Sequence, residues 1–189
     1  MKLYCTLTLL CIALLQCSCS AVLTKEHIAD RTEDLLQEKL EGTWQHEEGV
    51  FQIEFDDEGT GWGAGIEWEE GAFKLSQGRL QAKKFGDAYL MTLEPIIEDP
   101  DDRPDGHLLI RFSFLESGEV HFYPPDVSAF EALVQEKELK GQIEKGKYST
   151  QVLLDEIRKV IPKIGDLEKM FPDSDDKVRL RRLPAFDSP

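Results

Sequence analysis

The sequence predicts an α+β protein: an antiparallel β-meander or partly closed barrel of about six to seven strands, with C-terminal helices. Apolar and polar residues alternate from Val50 to Tyr123, in short segments separated by turn-forming residues. This pattern is typical of consecutive antiparallel strands. After Val127 the apolar spacing changes to three and four residues, which favours helices. With 189 residues, the chain is long enough for one domain after a leader is removed.

The first 18 residues have the build of a secretory signal peptide. Lys2 precedes a short apolar stretch, and small and polar residues follow it. The apolar stretch is too short to cross a hydrocarbon layer of about 30 Å as a helix. We therefore expect residues 1–18 to be removed and residues 19–41 to form a tether with a short helix. Residues 42–189 are expected to form a single β-rich domain with a C-terminal helical segment.

Two cysteines at the end of the leader suggest how the chain is processed. The sequence around Cys17 and Cys19 resembles the lipobox of bacterial lipoproteins, where cleavage precedes a lipid-modified cysteine. The resemblance implies a lipid anchor at Cys19, with Cys17 as the second choice. A serine follows either cysteine, which in Gram-negative bacteria implies export to the outer membrane. Ordinary cleavage after Ala21 is the alternative, and it would give a free secreted or periplasmic protein.

The predicted elements of the body follow in chain order. Thr24–Gly42 has the apolar spacing of a short helix, and Gly42 is a plausible stop. Six strands are then predicted from alternation, with Gly78 as a turn or bulge inside the third. They lie in the segments GVFQIEF, GTGWGAGIEWEEG, AFKLSQGRLQAKKF, AYLMTLEPI, HLLIRFSF and EVHFYP.

The second of these segments carries an unusual run of glycines. GTGWGA fits the dinucleotide pattern G-x-G-x-x-A, but that pattern requires a helix to follow, and here the alternation continues as a strand. We therefore interpret Gly61, Gly63 and Gly65 either as relief from crowding on one face of the strand or as a bend that lets the sheet curl. Trp62 and Trp68 lie on the other face.

Five elements are predicted beyond the meander, and two of them are a short strand or turn in GQIEKGKYST and a further turn of helix in DLEKMF. Ser128 and Glu131 have the spacing of a capping box, which predicts a helix. QVLLDEIRKVI is predicted to be a second helix that ends before Pro162, because its apolar residues lie on one helical face. KVRLRRL alternates and predicts a late strand.

Composition excludes several classes of function. The net charge is −15, which repels phosphate backbones, so we expect no nucleic-acid partner. All four cysteines lie within the first 19 residues, so the body has no disulfide, no thiolate zinc site and no thiol nucleophile. The four histidines have no metal-ligand spacing, and no motif resembles a nucleophile elbow. We expect no metal, no cofactor and no enzymatic activity.

One tripeptide resembles a known family. Gly42-Thr43-Trp44 follows the predicted short helix and leads into the first strand of the meander. This arrangement resembles the Gly-x-Trp motif of lipocalins and lipocalin-like lipoproteins. The resemblance implies an up-and-down barrel with the tryptophan at one end and a late arginine stacked on it. The candidates for that arginine are Arg179, Arg181 and Arg182.

The resemblance also implies an interior cavity for a small apolar ligand. The side chains expected to line it include Trp62, Trp68, Phe73, Tyr89 and Phe112. The same side chains would also form a solid core, since small barrels are commonly filled by their own residues. The leading hypothesis is a non-enzymatic, membrane-anchored envelope lipoprotein that binds a small apolar ligand. The alternative is a structural or protein-interaction module with a solid core, and a hydrolase with dispersed catalytic residues is the third.

Overall fold

The chain is mostly antiparallel β-sheet in the part that the computed structural model describes, which is residues 20–47, 49–69, 71–97, 104–146, 149–161 and 167–184. The strands are β1 (Ala21–Thr24), β2 (Gly42–Gln45), β3 (Gly49–Phe55), β4 (Gly61–Glu69), β5 (Ala72–Phe85), β6 (Ala88–Pro95), β7 (His107–Phe114), β8 (Glu119–Tyr123), β9 (Gly141–Lys145), β10 (Thr150–Leu154) and β11 (Val178–Arg182). The helices are α1 (Asp34–Leu40), α2 (Val127–Gln135), α3 (Ile157–Val160) and α4 (Leu167–Met170).

Eight of the strands close into a barrel. Their order is β2-β3-β4-β5-β6-β7-β8-β11, and every neighbouring pair is antiparallel. The ring closes because β11 returns to β2, where Arg182 is opposite Trp44. The predicted antiparallel, barrel-like architecture is confirmed. The predicted strand number is too low, because strands of four or five residues are too short to show a clear alternation.

The other three strands branch from the barrel at β7. The start of β7 pairs with β1, β1 pairs in parallel with β10, and β10 pairs with β9. Residues 21–24, which the sequence places in a tether, are therefore a buried part of the sheet. The predicted helix over QVLLDEIRKVI is wrong in its first half, which is β10. Pairing with β1 and β9 overrides the helical spacing there.

Two smaller expectations also change. The strand AFKLSQGRLQAKKF runs without a break through Gly78, which pairs with Gly63 on one side and Pro95 on the other. Helix α2 is capped by Asp126 rather than by Ser128. The Asp126 carboxylate accepts hydrogen bonds from the backbone N–H groups of Ser128 (2.9 Å) and Ala129 (3.2 Å), which satisfies two donors of the first turn.

Apolar side chains form two separate cores. The first fills the barrel, with Trp44, Phe112 and Phe122 among its largest members. The second core lies outside the barrel wall, where α2 and the C-terminal segment cover β1, β6, β7 and β10. The C-terminal segment here means α3, α4 and Phe171. In this second core Phe130 and Phe171 meet edge to face, with ring centroids 5.6 Å apart. The C-terminal segment therefore covers one side of the barrel.

The glycines of β4 point into the barrel and make room for larger neighbours. A Cβ atom on Gly65 would lie 2.5 Å from the ring of Phe51, and one on Gly61 would lie 2.6 Å from Leu80. Gly63 lies between them but faces open space, because the nearest atoms to its Cβ position are 4.0 Å away. The predicted relief from crowding therefore applies to the first and last of these three glycines.

Gly65→Ala and Gly63→Ala are expected to have opposite effects on stability. The first substitution forces Phe51 to move and is expected to lower the free energy of unfolding by about 1–3 kcal/mol. The second removes a flexible residue from a strand without a clash, so a change between zero and a gain of about 1 kcal/mol is expected. Urea unfolding of both variants measures the difference. Equal losses in the two variants would contradict this assignment of space inside the barrel.

One end of the barrel is closed by Trp44 and Arg182. The indole is buried, its Nε1–H donates to the carbonyl of Leu40 (2.8 Å), and the guanidinium of Arg182 lies 5.0 Å from the ring centroid. Arg182 also donates to the carbonyls of Glu38, Lys39 and Glu41, at the C-terminal end of α1. These contacts connect the last barrel strand to the helix that precedes the first.

Gly42 belongs to the same closure. Its φ of +131° is a conformation that other residues rarely adopt, and its Cβ position is 3.5 Å from the Arg182 side chain. The glycine of the Gly-x-Trp motif is therefore required by backbone geometry, since a Cβ atom would make only an ordinary contact with Arg182.

Arg182→Ala is expected to lower the free energy of unfolding by about 1–2 kcal/mol, because it removes the contact with Trp44 and hydrogen bonds to helix carbonyls. Arg179→Ala is the matched control, since Arg179 is exposed on the same strand. Its loss is expected to stay below about 0.5 kcal/mol. Thermal and urea unfolding measure both variants. A loss in the control as large as that in Arg182→Ala would rule out a specific closing role.

Candidate functional site

The interior of the barrel contains a small apolar cavity. Its volume is about 60 Å³, and its wall is almost entirely carbon. Gly63 opens onto this space, Gly65 and Gly78 also line it, and large side chains surround it. The apolar residues that line it include Phe51, Ile53, Leu80, Met91, Leu93, Phe122, Val178 and Leu180. It is smaller than the roughly 150 Å³ engineered cavity that admits benzene.

The five side chains expected to line a ligand cavity do not come together. Tyr89 and Phe112 pack in the barrel core, with ring centroids 5.4 Å apart. Trp62, Trp68 and Phe73 instead lie on the outside of the barrel and are 42%, 55% and 74% exposed. Alternation correctly places these outer residues on one face of the sheet. The inner face of β4, however, is the face with the glycines and not the face with the tryptophans. The two candidate lipidation sites, Cys19 and Cys17, lie outside the described residues.

The three exposed aromatic residues lie on one outer surface of adjacent strands, which we call the outer apolar face; the row Gln52, Ala64 and Gln77 separates Trp62 from the other two. Ile66 is directly opposite Val50 on β3 and Leu75 on β5, so these side chains form a row. Trp68 is opposite Phe73, and their rings meet edge to face at 4.8 Å. The outer apolar face consists of Val50, Trp62, Ile66, Trp68, Phe73 and Leu75, each more than two-fifths exposed.

A free strand edge lies beside this face. Strand β6 pairs with β5 from Gly78 onwards, and one further hydrogen bond joins the N–H of Ile96 to the carbonyl of Gln77. At Phe73 and Leu75, the edge of β5 that faces away from β4 has no strand partner among the described residues. The backbone N–H and C=O groups of these two residues are therefore directed outward, next to their side chains.

A second arrangement of polar side chains lies at the start of β7. Donor atoms of His27, Glu94 and His107 all lie within 4.8 Å of one another, and each residue is half-buried. The two imidazoles stack, with centroids 3.8 Å apart. The Nδ1 atom of His27 is 3.0 Å from the hydroxyl of Thr92. None of the three residues lines the barrel cavity.

The environment of this pair keeps both imidazoles uncharged. Burial, with the neighbouring His107 as a smaller cause, lowers the pKa of His27 to about 4. Burial also lowers the pKa of His107, and the charge of Glu94 opposes that shift. Both rings are therefore neutral near pH 7, with a lone pair available on each.

Sequence spacing could not reveal this cluster. His27 follows β1, Glu94 is near the end of β6 and His107 begins β7, so the three residues are far apart in the chain. They meet because β1 pairs with the first residues of β7 while β6 pairs with the other edge of β7. Predicting the cluster would have required the strand β1, which the sequence does not indicate.

Comparisons with known proteins found no relative whose function could be compared with this chain. Scans against protein-family models, curated proteins and solved structures returned no match. Among the described residues, no helix combines the length and apolar character that a membrane crossing requires.

Proposed function

We propose that this chain is an exported, lipid-anchored protein of the cell envelope, without catalytic activity, that holds an extended segment of a partner protein on its outer apolar face. The observation that carries the proposal is the coincidence of that face with the free edge of β5. Soluble monomers rarely expose a continuous patch of several large apolar side chains unless it has a partner.

The free edge favours a polypeptide as the occupant. An extended segment added beside Ala72–Ser76 would satisfy the outward backbone groups of β5. Its alternate side chains would then contact Phe73 and Leu75. A lipid surface could cover the apolar side chains but would leave those backbone groups without hydrogen bonds. The net charge of −15 also disfavours docking of the face on anionic headgroups.

The start of β1 supports an anchor at Cys19 over cleavage after Ala21. Ala21 is buried and pairs with Gln151, and the Ser20 hydroxyl accepts a hydrogen bond from the N–H of Thr150 (3.0 Å). Cleavage after Ala21 would remove both interactions. Cleavage before Cys19 would leave the whole strand in place.

The closed barrel and the stack of Arg182 on Trp44 support the proposed likeness to lipocalin-like lipoproteins. Binding of a small apolar ligand is the second candidate function, favoured by the apolar wall of the cavity. The volume of about 60 Å³ would admit no more than the end of a slender chain, because ligand pockets commonly measure roughly 300–1,000 Å³.

Photocrosslinking in cells of the source organism tests the partner. A photoreactive p-benzoylphenylalanine is placed at Phe73 or at Leu75, with Arg179 as the control position on β11. We expect one defined protein adduct from the two test positions and none from the control. Ile66→Asp should abolish the adduct from Phe73, because it places a charge in the middle of the face, whereas Arg179→Asp should not.

Circular dichroism of Ile66→Asp must show an intact fold for this comparison to count. Adducts with lipid, adducts with a second copy of the chain, or equal yields at the control position would each contradict a partner-protein segment on this face.

Mass spectrometry of the mature N terminus tests the anchor separately. A diacylated or triacylated Cys19 is expected, because the adjacent strand β1 then remains complete. An unmodified chain that begins at Val22 would contradict the anchor and leave the partner face untouched.

A further inference from the structure

The cluster of His27, Glu94 and His107 contains a buried atom that the fold leaves unsatisfied. The Nδ1 atom of His107 is inaccessible to solvent and has no hydrogen-bond partner among the described residues. An unpaired buried polar atom is costly, and such atoms commonly mark the position of a bound water or ion. The ring that carries this nitrogen stacks on the imidazole of His27, and donor atoms of His27, Glu94 and His107 lie within 4.8 Å of one another.

The second imidazole is oriented by its own hydrogen bond. The hydroxyl of Thr92 accepts the N–H of Ile28 (3.2 Å) and also contacts Nδ1 of His27 (3.0 Å). This contact leaves Nε2 of His27 as the atom free to coordinate. Metal-binding histidines usually have such a partner on the other ring nitrogen, because it fixes the orientation and the tautomer of the ring.

The donor set determines the class of ion. Two imidazole nitrogens and one carboxylate oxygen suit Zn²⁺ and similar divalent ions, whereas Ca²⁺ and Mg²⁺ prefer sets of oxygen ligands. Glu94 is separated from Arg79 by 4.0 Å, which is a weak ion pair, so its carboxylate is available to a cation.

Coordination of one ion requires the stacked rings to turn relative to each other, because nearly parallel rings direct their in-plane lone pairs side by side. Zinc with bonds of about 2.1 Å in a tetrahedral site holds its donors roughly 3.4 Å apart. The donor atoms here are at most 4.8 Å apart, and the imidazole planes are inclined by 24°. The His107 ring can turn about its side-chain bonds, because its Nδ1 has no hydrogen-bond partner among the described residues, while His27 keeps its contact with Thr92.

From these contacts we infer that His27, Glu94 and His107 form a site for one divalent cation of the zinc class. Three protein ligands leave a fourth position for water. The site joins the segment between β1 and α1 to β6 and β7, so the ion fastens the N-terminal part of the chain to the barrel wall. Arg158 already holds the same segment, since it donates to the carbonyls of His27 (2.6 Å) and Ala29 (3.0 Å). The inference does not depend on the proposed partner face.

Titration of the full chain with ZnCl₂ tests the site. The four leader cysteines are replaced by serine so that thiolates do not compete, and the protein is treated with a chelator and dialysed. Isothermal titration calorimetry is expected to show one ion per chain. Saturation is expected to raise the melting temperature by about 4 °C or more, because the ion binds the folded state preferentially.

His107→Gln and Glu94→Gln are each expected to weaken zinc binding by at least about 100-fold, because each removes one of three ligands. His46→Gln is the matched control and should bind as the unsubstituted chain does. X-ray absorption of the zinc-loaded chain, which needs no variant, should show two imidazoles and oxygen ligands.

Three results would overturn the inference. They are the absence of a one-to-one transition, unchanged binding in His107→Gln, and an absorption spectrum with oxygen ligands alone. The last would indicate zinc on surface carboxylates.

Discussion

The architecture depends on β7, because one edge of this strand is shared by two partners. Along one edge, Leu108 to Phe112 pair with β6. Along the other edge, His107 and Leu108 pair with β1, and Arg111 to Phe114 pair with β8. The pairing with β6 and β8 closes the barrel. The pairing with β1 joins the barrel to the three strands β1, β10 and β9. The half-buried His27, Glu94 and His107 gather at this branch because three segments meet there.

The distribution of apolar residues follows from the same branch. The side of the barrel next to β7 is covered by α2 and the C-terminal segment, which bury Leu90 and Leu109 on the outer wall. The opposite side, formed by β3, β4 and β5, has no such cover among the described residues, and it carries the outer apolar face. On the inner surface of that wall, the side chains of Phe51, Phe55 and Leu80 occupy the room that the glycines of β4 leave. The interior is therefore nearly full, although one of its strands has little side-chain volume.

The sequence predicted those parts of the fold that depend on local pattern. Alternation located the strands from Val50 to Tyr123, and the late strand with Arg182 was also found. Alternation could not decide which face of β4 is internal. The face with Trp62 and Trp68 has a larger apolar area than the face with three glycines, so it looks like the inner one. The inner face is set by Phe51 and Leu80 on neighbouring strands, so that choice belongs to packing.

Non-local pairing accounts for the remaining differences. Residues Ala21–Thr24 and Thr150–Leu154 become strands because they pair with each other, although neither segment shows strand alternation by itself. The three donors of the candidate cation site are brought together by the pairing of β7 with β1 and with β6. A motif search by spacing detects ligands that share one helix or turn, and these ligands share neither.

The position of β1 has a consequence for how the protein sits in the envelope under the proposed anchor. If the lipid is on Cys19, a single residue separates it from Ala21, and one extended residue spans at most roughly 3.6 Å. So short a linker would hold the folded body close to the bilayer. The body would have little freedom to tilt or to move away from the membrane. Any partner must then be bound within the first few nanometres above the headgroups.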